Sequence, residues 1–357
     1  MPPQLWTLAI ATVTAVLAVG GGDLGRSTAP AAAAPTAATT APVTYLAVGD
    51  SLAYGMQVGK LKAEIAAGTV SAGSFDTGYV DVFAAHLRTH SPAVNVVNLG
   101  CPGESTASFI AGPCGYATTG KPFGTAPLPL HTAYQGSQLH AALDYLHEHP
   151  GQVQTITLDI GINDLRAAAA RCPTGDGFSD CLAAHWAPAV QKTAANLDTI
   201  VGRIRAAAPA AEFLVLDYYN WMAVDDPATD KQVEKLNAAI ADAATRHGAR
   251  VVHVYPAFNR TGDESRTLCE LTLYCGPSKD LHPSDAGYST IGRLLFETAG
   301  PQVGRMPSGG AATGGGGTAG VEDQALIMLG GVSIAAGAGI LLFLRRRGAH
   351  PTVEGAD

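Results

Sequence analysis

Five short runs rich in Val, Ile, Leu and Thr recur along the chain, at residues 44–48, 94–99, 154–160, 212–218 and 250–254. Each is apolar almost without interruption instead of alternating with polar residues. A strand with that pattern is buried on both faces, as in an all-parallel sheet. Longer amphipathic stretches separate the runs, at 79–90, 137–149, 186–207, 230–247 and 284–298. Parallel neighbours need crossover connections of about that length, usually helical. The expected fold is therefore α/β, a three-layer α/β/α sandwich on a five-stranded parallel sheet. Ligands in such folds bind beyond the carboxyl ends of the strands, so the loops leaving those ends are where chemistry is to be sought.

Composition narrows the function classes. Of the 357 residues 47% are hydrophobic, which is enough for a sizeable core and argues against a disordered chain. The formal net charge of −8 comes with no basic stripe, so nucleic acid is a poor partner.

The two ends differ from the middle. Residues 5–19 are apolar and uncharged and lead into Gly20-Gly21-Gly22, so residues 1–26 read as a secretory signal peptide or an N-terminal anchor. Residues 27–42, with only small side chains, Thr and Pro, read as a linker. One folded domain would occupy 43–302, and a Gly-rich linker 303–321. Residues 325–344 carry no charge and precede Arg345-Arg346-Arg347. Twenty helical residues span about 30 Å, the thickness of a bilayer's hydrocarbon core. The segment 322–357 is thus expected to be a transmembrane helix with a short basic tail, which the arginines would hold in the cytoplasm while the domain stays outside.

All six cysteines lie between these appendages, spaced as Cys101/Cys114, Cys172/Cys181 and Cys269/Cys275. Their even number and close spacing suit three local disulfides in an oxidising compartment, although six cysteines admit about 15 connectivities. No C-x-x-C spacing supports a metal module. His147-Glu148-His149 could bind a metal, but histidines at a helix C-terminus also complement its partial charge, which is the favoured reading.

Four segments at expected strand or loop ends carry reactive groups: Gly49-Asp50-Ser51-Leu52, Asn98 to Ser105 with Gly103, Gly161-Ile162-Asn163-Asp164, and Asp280-Leu281-His282-Pro283. Singly, each is no more than a cap, a turn or a loop histidine. Together they hold the parts of an acyl-transfer site. A serine hydroxyl needs a neighbouring base, and a neutral imidazole is one. A carbonyl under attack needs donors for its developing negative charge, and the N–H of Ser51, the N–H of Gly103 and the side-chain amide of Asn163 are candidates. Asp50 is expected to hold the turn through main-chain bonds. Tyr54, Phe109, Tyr219 and Trp221 are expected either to line an acyl pocket or to be core.

In these four blocks the sequence resembles the GDSL-type esterases and lipases of the SGNH hydrolase superfamily, over about residues 43–300. The resemblance places Ser51, Gly103, Asn163 and His282 in the four positions that name the superfamily. It implies a flavodoxin-like fold, a serine nucleophile, no cofactor or metal, and hydrolysis of carboxylic esters. The cysteine pairs and the leader are similar to those of secreted actinobacterial lipases. One position departs from the pattern: the Asp usually found three residues before the histidine is Lys279 here, with Asp280 one residue later. Either the Asp280 carboxylate or a main-chain carbonyl, that of Lys279, would then orient His282. The implied function is a membrane-anchored extracellular serine esterase or lipase acting on acyl esters. A polysaccharide O-deacetylase on the same residues, or a non-catalytic binding protein, are the alternatives.

Overall fold

The computed structural model describes residues 43–121 and 124–300. The expected signal or anchor, both linkers and the C-terminal span lie outside the described residues. Among the described residues no helix is long and apolar enough to cross a membrane.

All five expected strands form: β1 (Thr44–Gly49), β2 (Asn95–Asn98), β3 (Val153–Asp159), β4 (Glu212–Leu216) and β5 (Arg250–Val252). They pair in parallel in the order β2-β1-β3-β4-β5, which is the flavodoxin-like doubly wound topology. Every residue of β1 is buried, as is all of β3 except Gln154, which accounts for apolar runs without alternation.

The helices are α1 (Ser51–Tyr54), α2 (Val58–Ala67), α3 (Tyr79–Arg88), α4 (Thr106–Ala111), α5 (Gly115–Thr119) and α6 (Gln138–Glu148), all before β3. After it come α7 (Ile162–Ala169), α8 (Phe178–Ala207), α9 (Asp230–Arg246), α10 (Tyr255–Phe258), α11 (Glu264–Leu271) and α12 (Asp285–Ala299). α3 packs on α12, and α8 lies against α6, α7 and α9, so helices flank the sheet in two layers.

The segments with no sequence-expected structure are more helical than their composition suggests. The connection 104–134 contains α4 and α5, and 166–183 is divided between α7 and α8. α4 is started by a capping box in which Ser105 and Ser108 each bond the other's main-chain N–H. α8 begins at Phe178, eight residues ahead of the expected start, and continues through Pro188. Pro188 has no N–H to offer, but Leu182 and Trp186, in the two turns before it, are fully buried, and their packing outweighs the lost bond. α2 and α11 bury only Leu61, and only Thr267 and Leu268, so their apolar stripes are too narrow to read.

The three disulfides are the expected ones, Cys101–Cys114, Cys172–Cys181 and Cys269–Cys275. Each closes a loop next to a segment that carries site residues.

β1 ends where the chain has least freedom. Gly49 has φ +153°, and a Cβ built there would lie 2.4 Å from Asp159 Oδ1 and 2.5 Å from the Asp159 carbonyl. The neighbouring strand leaves no room for a side chain. Gly49→Ala is expected to destabilise the protein by about 1–3 kcal/mol and to lower activity at the adjoining loop. The urea midpoint against wild type measures it.

Candidate active site

The loops leaving β1, β2 and β3 meet at the carboxyl edge of the sheet, around the β1/β3 switch in strand order. Asp50 caps α1, its Oδ1 accepting from Leu52 N–H at 3.0 Å, as expected of a turn-holding residue. Ser51 is thus the first residue of a short helix leaving a sharp strand end. Its Oγ lies 2.9 Å from Nε2 of His282, 231 residues away in sequence.

His282 Nδ1 lies 2.6 Å from Asp280 Oδ1. An ionised carboxylate only accepts, so Nδ1 carries the hydrogen and Nε2 of the neutral ring is left as the acceptor of the Ser51 hydroxyl. Of the two orienting groups the sequence left open, the carboxylate of Asp280 is the one in contact. The displaced register is accommodated at Lys279, whose φ of +47° is the one positive value at a non-glycine among the described residues. Lys279 reaches outward, its Nζ 3.3 Å from Asp225 Oδ1 and 4.7 Å from the Tyr274 ring centre.

Asp280 is only 3% exposed. Burial opposes its ionisation, but bonds from the His282 side chain and from the main-chain N–H of His282 and Val58 prevail and hold the carboxyl below its ordinary value. The Val58 bond, 2.7 Å long, ties Asp280 to the N-terminus of α2, where negative charge is favoured. The histidine backbone is pinned as well. Leu273 N–H donates to its carbonyl at 2.9 Å, and Tyr219 Oη–H donates to the Leu281 carbonyl at 2.7 Å.

The expected oxyanion donors come from three separate loops. Pro102 and Gly103 occupy the middle of a turn closed by Glu104 N–H on the Cys101 carbonyl, 3.1 Å, and Gly103 has φ +81°. Proline followed by a positive-φ glycine is the requirement of a type II turn. Asn163, on the first turn of α7, donates from Nδ2 to the Glu104 carbonyl at 2.9 Å and lies 3.4 Å from Asp50 Oδ2. Asp164 holds these two loops together. Its carboxylate accepts from the Thr106 N–H at 2.8 Å and from the Thr106 hydroxyl at 2.7 Å, which caps α4.

Beneath the serine lies a group of buried carboxyls that the sequence reading did not find. Asp159, at the end of β3, accepts from the Asp50 N–H and from the Tyr79 hydroxyl, while Asp50 accepts from the Tyr218 hydroxyl at 2.7 Å. Burial, then the charge of Asp50, pushes the Asp159 carboxyl well up, and burial raises the Asp50 carboxyl too, against bonds from Asp159, Leu52 and Tyr218. The signal was available in principle: an Asp closing a run otherwise suited to a buried strand. Glu104 is 2% exposed, and burial pushes its carboxyl up to about 7 against bonds from Ser108 and Gln138.

Of the aromatic residues expected to be pocket or core, Tyr54 and Phe109 are fully buried and Tyr219 nearly so, and Trp221, also buried, lines a cleft with one edge. That cleft, of about 960 Å³, adjoins the histidine loop through Leu281 and is walled by Arg166, Phe178, Trp221, Met222 and Tyr274. At the C-terminus of α6, His149 stacks on Tyr145 with its Nδ1 2.9 Å from the Tyr145 carbonyl, consistent with the capping reading.

The family model for GDSL-like lipases and acylhydrolases matches residues 47–289. The chain belongs to that family. It is an ester-hydrolysing enzyme with the α/β fold of the family. Among solved structures this hydrolase is similar to an extracellular lipase from Streptomyces rimosus, with 18% identity over 72% of this chain and 99% of that one, TM-score 0.48. It is also similar to phospholipase A1 from Streptomyces albidoflavus, with 20% identity over 71% and 98%, TM-score 0.45. An acetylxylan esterase from Geobacillus stearothermophilus aligns with 16% identity over 72% and 94%, TM-score 0.45. No curated protein matches the chain.

Glu104 generates a stability prediction. Its carboxyl ionises near 4.5 in the unfolded chain and near 7 in the folded protein. Between those values the folded state binds more protons, so stability falls as pH rises through that window. Glu104→Gln is expected to flatten this slope, read from urea midpoints of variant and wild type between pH 4.5 and 7. An unchanged slope would mean that Glu104 is not the group responsible.

Proposed function

We propose that this hydrolase is a serine esterase that cleaves carboxylic acyl esters through an acyl-enzyme. The observation that carries the reading is the continuous link from Ser51 through His282 to Asp280, at 2.9 and 2.6 Å in a buried setting. Ser51 Oγ attacks the ester carbonyl carbon while its proton passes to His282 Nε2. The carbonyl oxygen becomes an anion facing the N–H groups of Ser51 and Gly103 and the Asn163 amide. Collapse breaks the bond to the alcohol oxygen, which leaves with the proton from His282. Water, deprotonated by the same imidazole, then releases the acid and restores the serine. Asp280 keeps the ring in the productive tautomer and stabilises the imidazolium.

The cleft beside Leu281 receives the larger part of the substrate, and its volume leaves room for more than an acetyl group. Residues 1–26 direct export, the domain works outside the cell, and 322–357 tether it to the membrane. The three disulfides support an oxidising location.

Hydrolysis of p-nitrophenyl esters from acetate to palmitate by the full-length oxidised protein tests the chemistry. Ser51→Ala and His282→Ala are each expected to cost about 10⁴-fold or more in kcat, and Asp280→Ala less. An Asp280→Ala loss equal to that of His282→Ala would overturn the weighting of roles, and full activity in Ser51→Ala would overturn the serine mechanism. Rates confined to acetate would move the reading to an O-deacetylase.

The membrane tether has a separate check. Full-length protein is expected to sediment with membranes through a carbonate wash, and a chain ending at residue 304 is expected not to. Equal release of both would refute the anchor.

A further inference from the structure

Asn163 must present nitrogen, and not oxygen, to a developing oxyanion, yet a side-chain amide can rotate by half a turn at little cost. In this hydrolase its orientation is set from the oxygen side. Arg166, one helical turn further along α7, donates from Nη1 to Asn163 Oδ1 at 3.0 Å. A guanidinium has donors only, so the amide atom it touches has to be the oxygen. The Glu104 carbonyl, 2.9 Å from Nδ2, is an acceptor only and has to meet the nitrogen. Rotating the amide would place donor against donor and acceptor against acceptor at once. The pair Asn163 and Arg166 is spaced i, i+3, which puts both side chains on one face of α7.

Arg166 is well suited to this use. It is partly buried, lies within the field of Asp50 and Asp280, and is the one Lys or Arg side chain among those lining the cleft. A charged donor makes a stronger bond to a carbonyl than a neutral one, and it pulls electron density toward Oδ1. The Nδ2–H not held by the Glu104 carbonyl is then a better donor to an anion.

We infer that Arg166 is a positioning residue for ester hydrolysis, acting through the Asn163 amide and not on the substrate directly. The inference rests on the proposed role of Asn163 in the oxyanion site. It gives Asn163 an orienting partner comparable to the one Asp280 gives His282.

A double-mutant cycle on the full-length oxidised protein separates the two ideas. Arg166→Met keeps the aliphatic stem and removes the donors. It is expected to lower kcat by about tenfold to a hundredfold, less than the ~10²–10³-fold cost of losing an oxyanion donor outright, with KM unchanged within about twofold. Arg166→Lys is expected to recover most of the loss. In an Asn163→Ala background Arg166→Met is expected to change kcat by less than about twofold, because the group it acts through is gone. If Arg166→Met raises KM and spares kcat, or costs as much without Asn163 as with it, the inference fails and Arg166 binds substrate or supports the fold instead. If Asn163→Ala itself leaves kcat intact, the oxyanion role of Asn163 fails and this inference with it.

Discussion

The carboxylate of Asp280 is a charge in a nearly dry setting, and the site is organised around keeping it there. Removing a carboxylate from water costs several kcal/mol unless donors replace the lost hydration. Three do: the imidazole Nδ1–H and main-chain N–H of His282, and the Val58 N–H at the start of α2. The same bonds settle the tautomer of His282, and with it the direction of the bond from Ser51. A helix terminus from the first quarter of the chain is thereby connected to the histidine loop near the end of the domain. Lys279, twisted into the left-handed region, is where the backbone accommodates that connection.

Behind the serine the same economy of donors recurs. Asp50 and Asp159 both lie fully out of solvent, and two such carboxyls so close cannot both ionise. Burial pushes both carboxyls up, Asp159 further through the charge of Asp50, while Asp50 accepts from the hydroxyl of Tyr218, the Leu52 N–H and, more distantly, the Asn163 amide. Gly49 exists in this arrangement because the Asp159 side chain occupies the space a Cβ would need. Ser51 therefore stands on a corner defined from below by polar contacts, and on one side by the Gly103 turn that Asn163 ties to α7. Such preorganisation is what acyl transfer demands, since donors already in place need not rearrange as charge develops.

Much of this was legible in the chain. The unbroken apolar runs specified buried parallel strands, because period-two alternation disappears when both faces are covered, and all five formed within a few residues of their expected limits. The four site segments could be recognised because a doubly wound sheet delivers strand ends to one edge. Three local disulfides were legible from the even number and close spacing of the cysteines, and the structure selected that connectivity among those left open. Less legible were α2, α4, α5 and α11, whose apolar faces are narrow or whose start rests on paired serine caps. The early start of α8 was hidden by Pro188, whose cost is outweighed by burial of Leu182 and Trp186, a balance struck only in the packed state.

The sequence by itself determined the fold class, the membership of a hydrolase family and the identity of the groups available for chemistry, since these depend on local pattern and on residue type. Only the tertiary structure decided which of those groups touch. That Asp280 and not a main-chain carbonyl meets His282 depends on the backbone twist at Lys279 and on the position of α2, which are distant in sequence. That Arg166 faces the Asn163 oxygen, that Asp159 lies under the serine, and that Trp221 lines a cleft while Tyr54 and Phe109 are core are of the same kind. Contacts between loops separated by a hundred residues are set by how helices pack on the sheet, and no local pattern encodes that geometry.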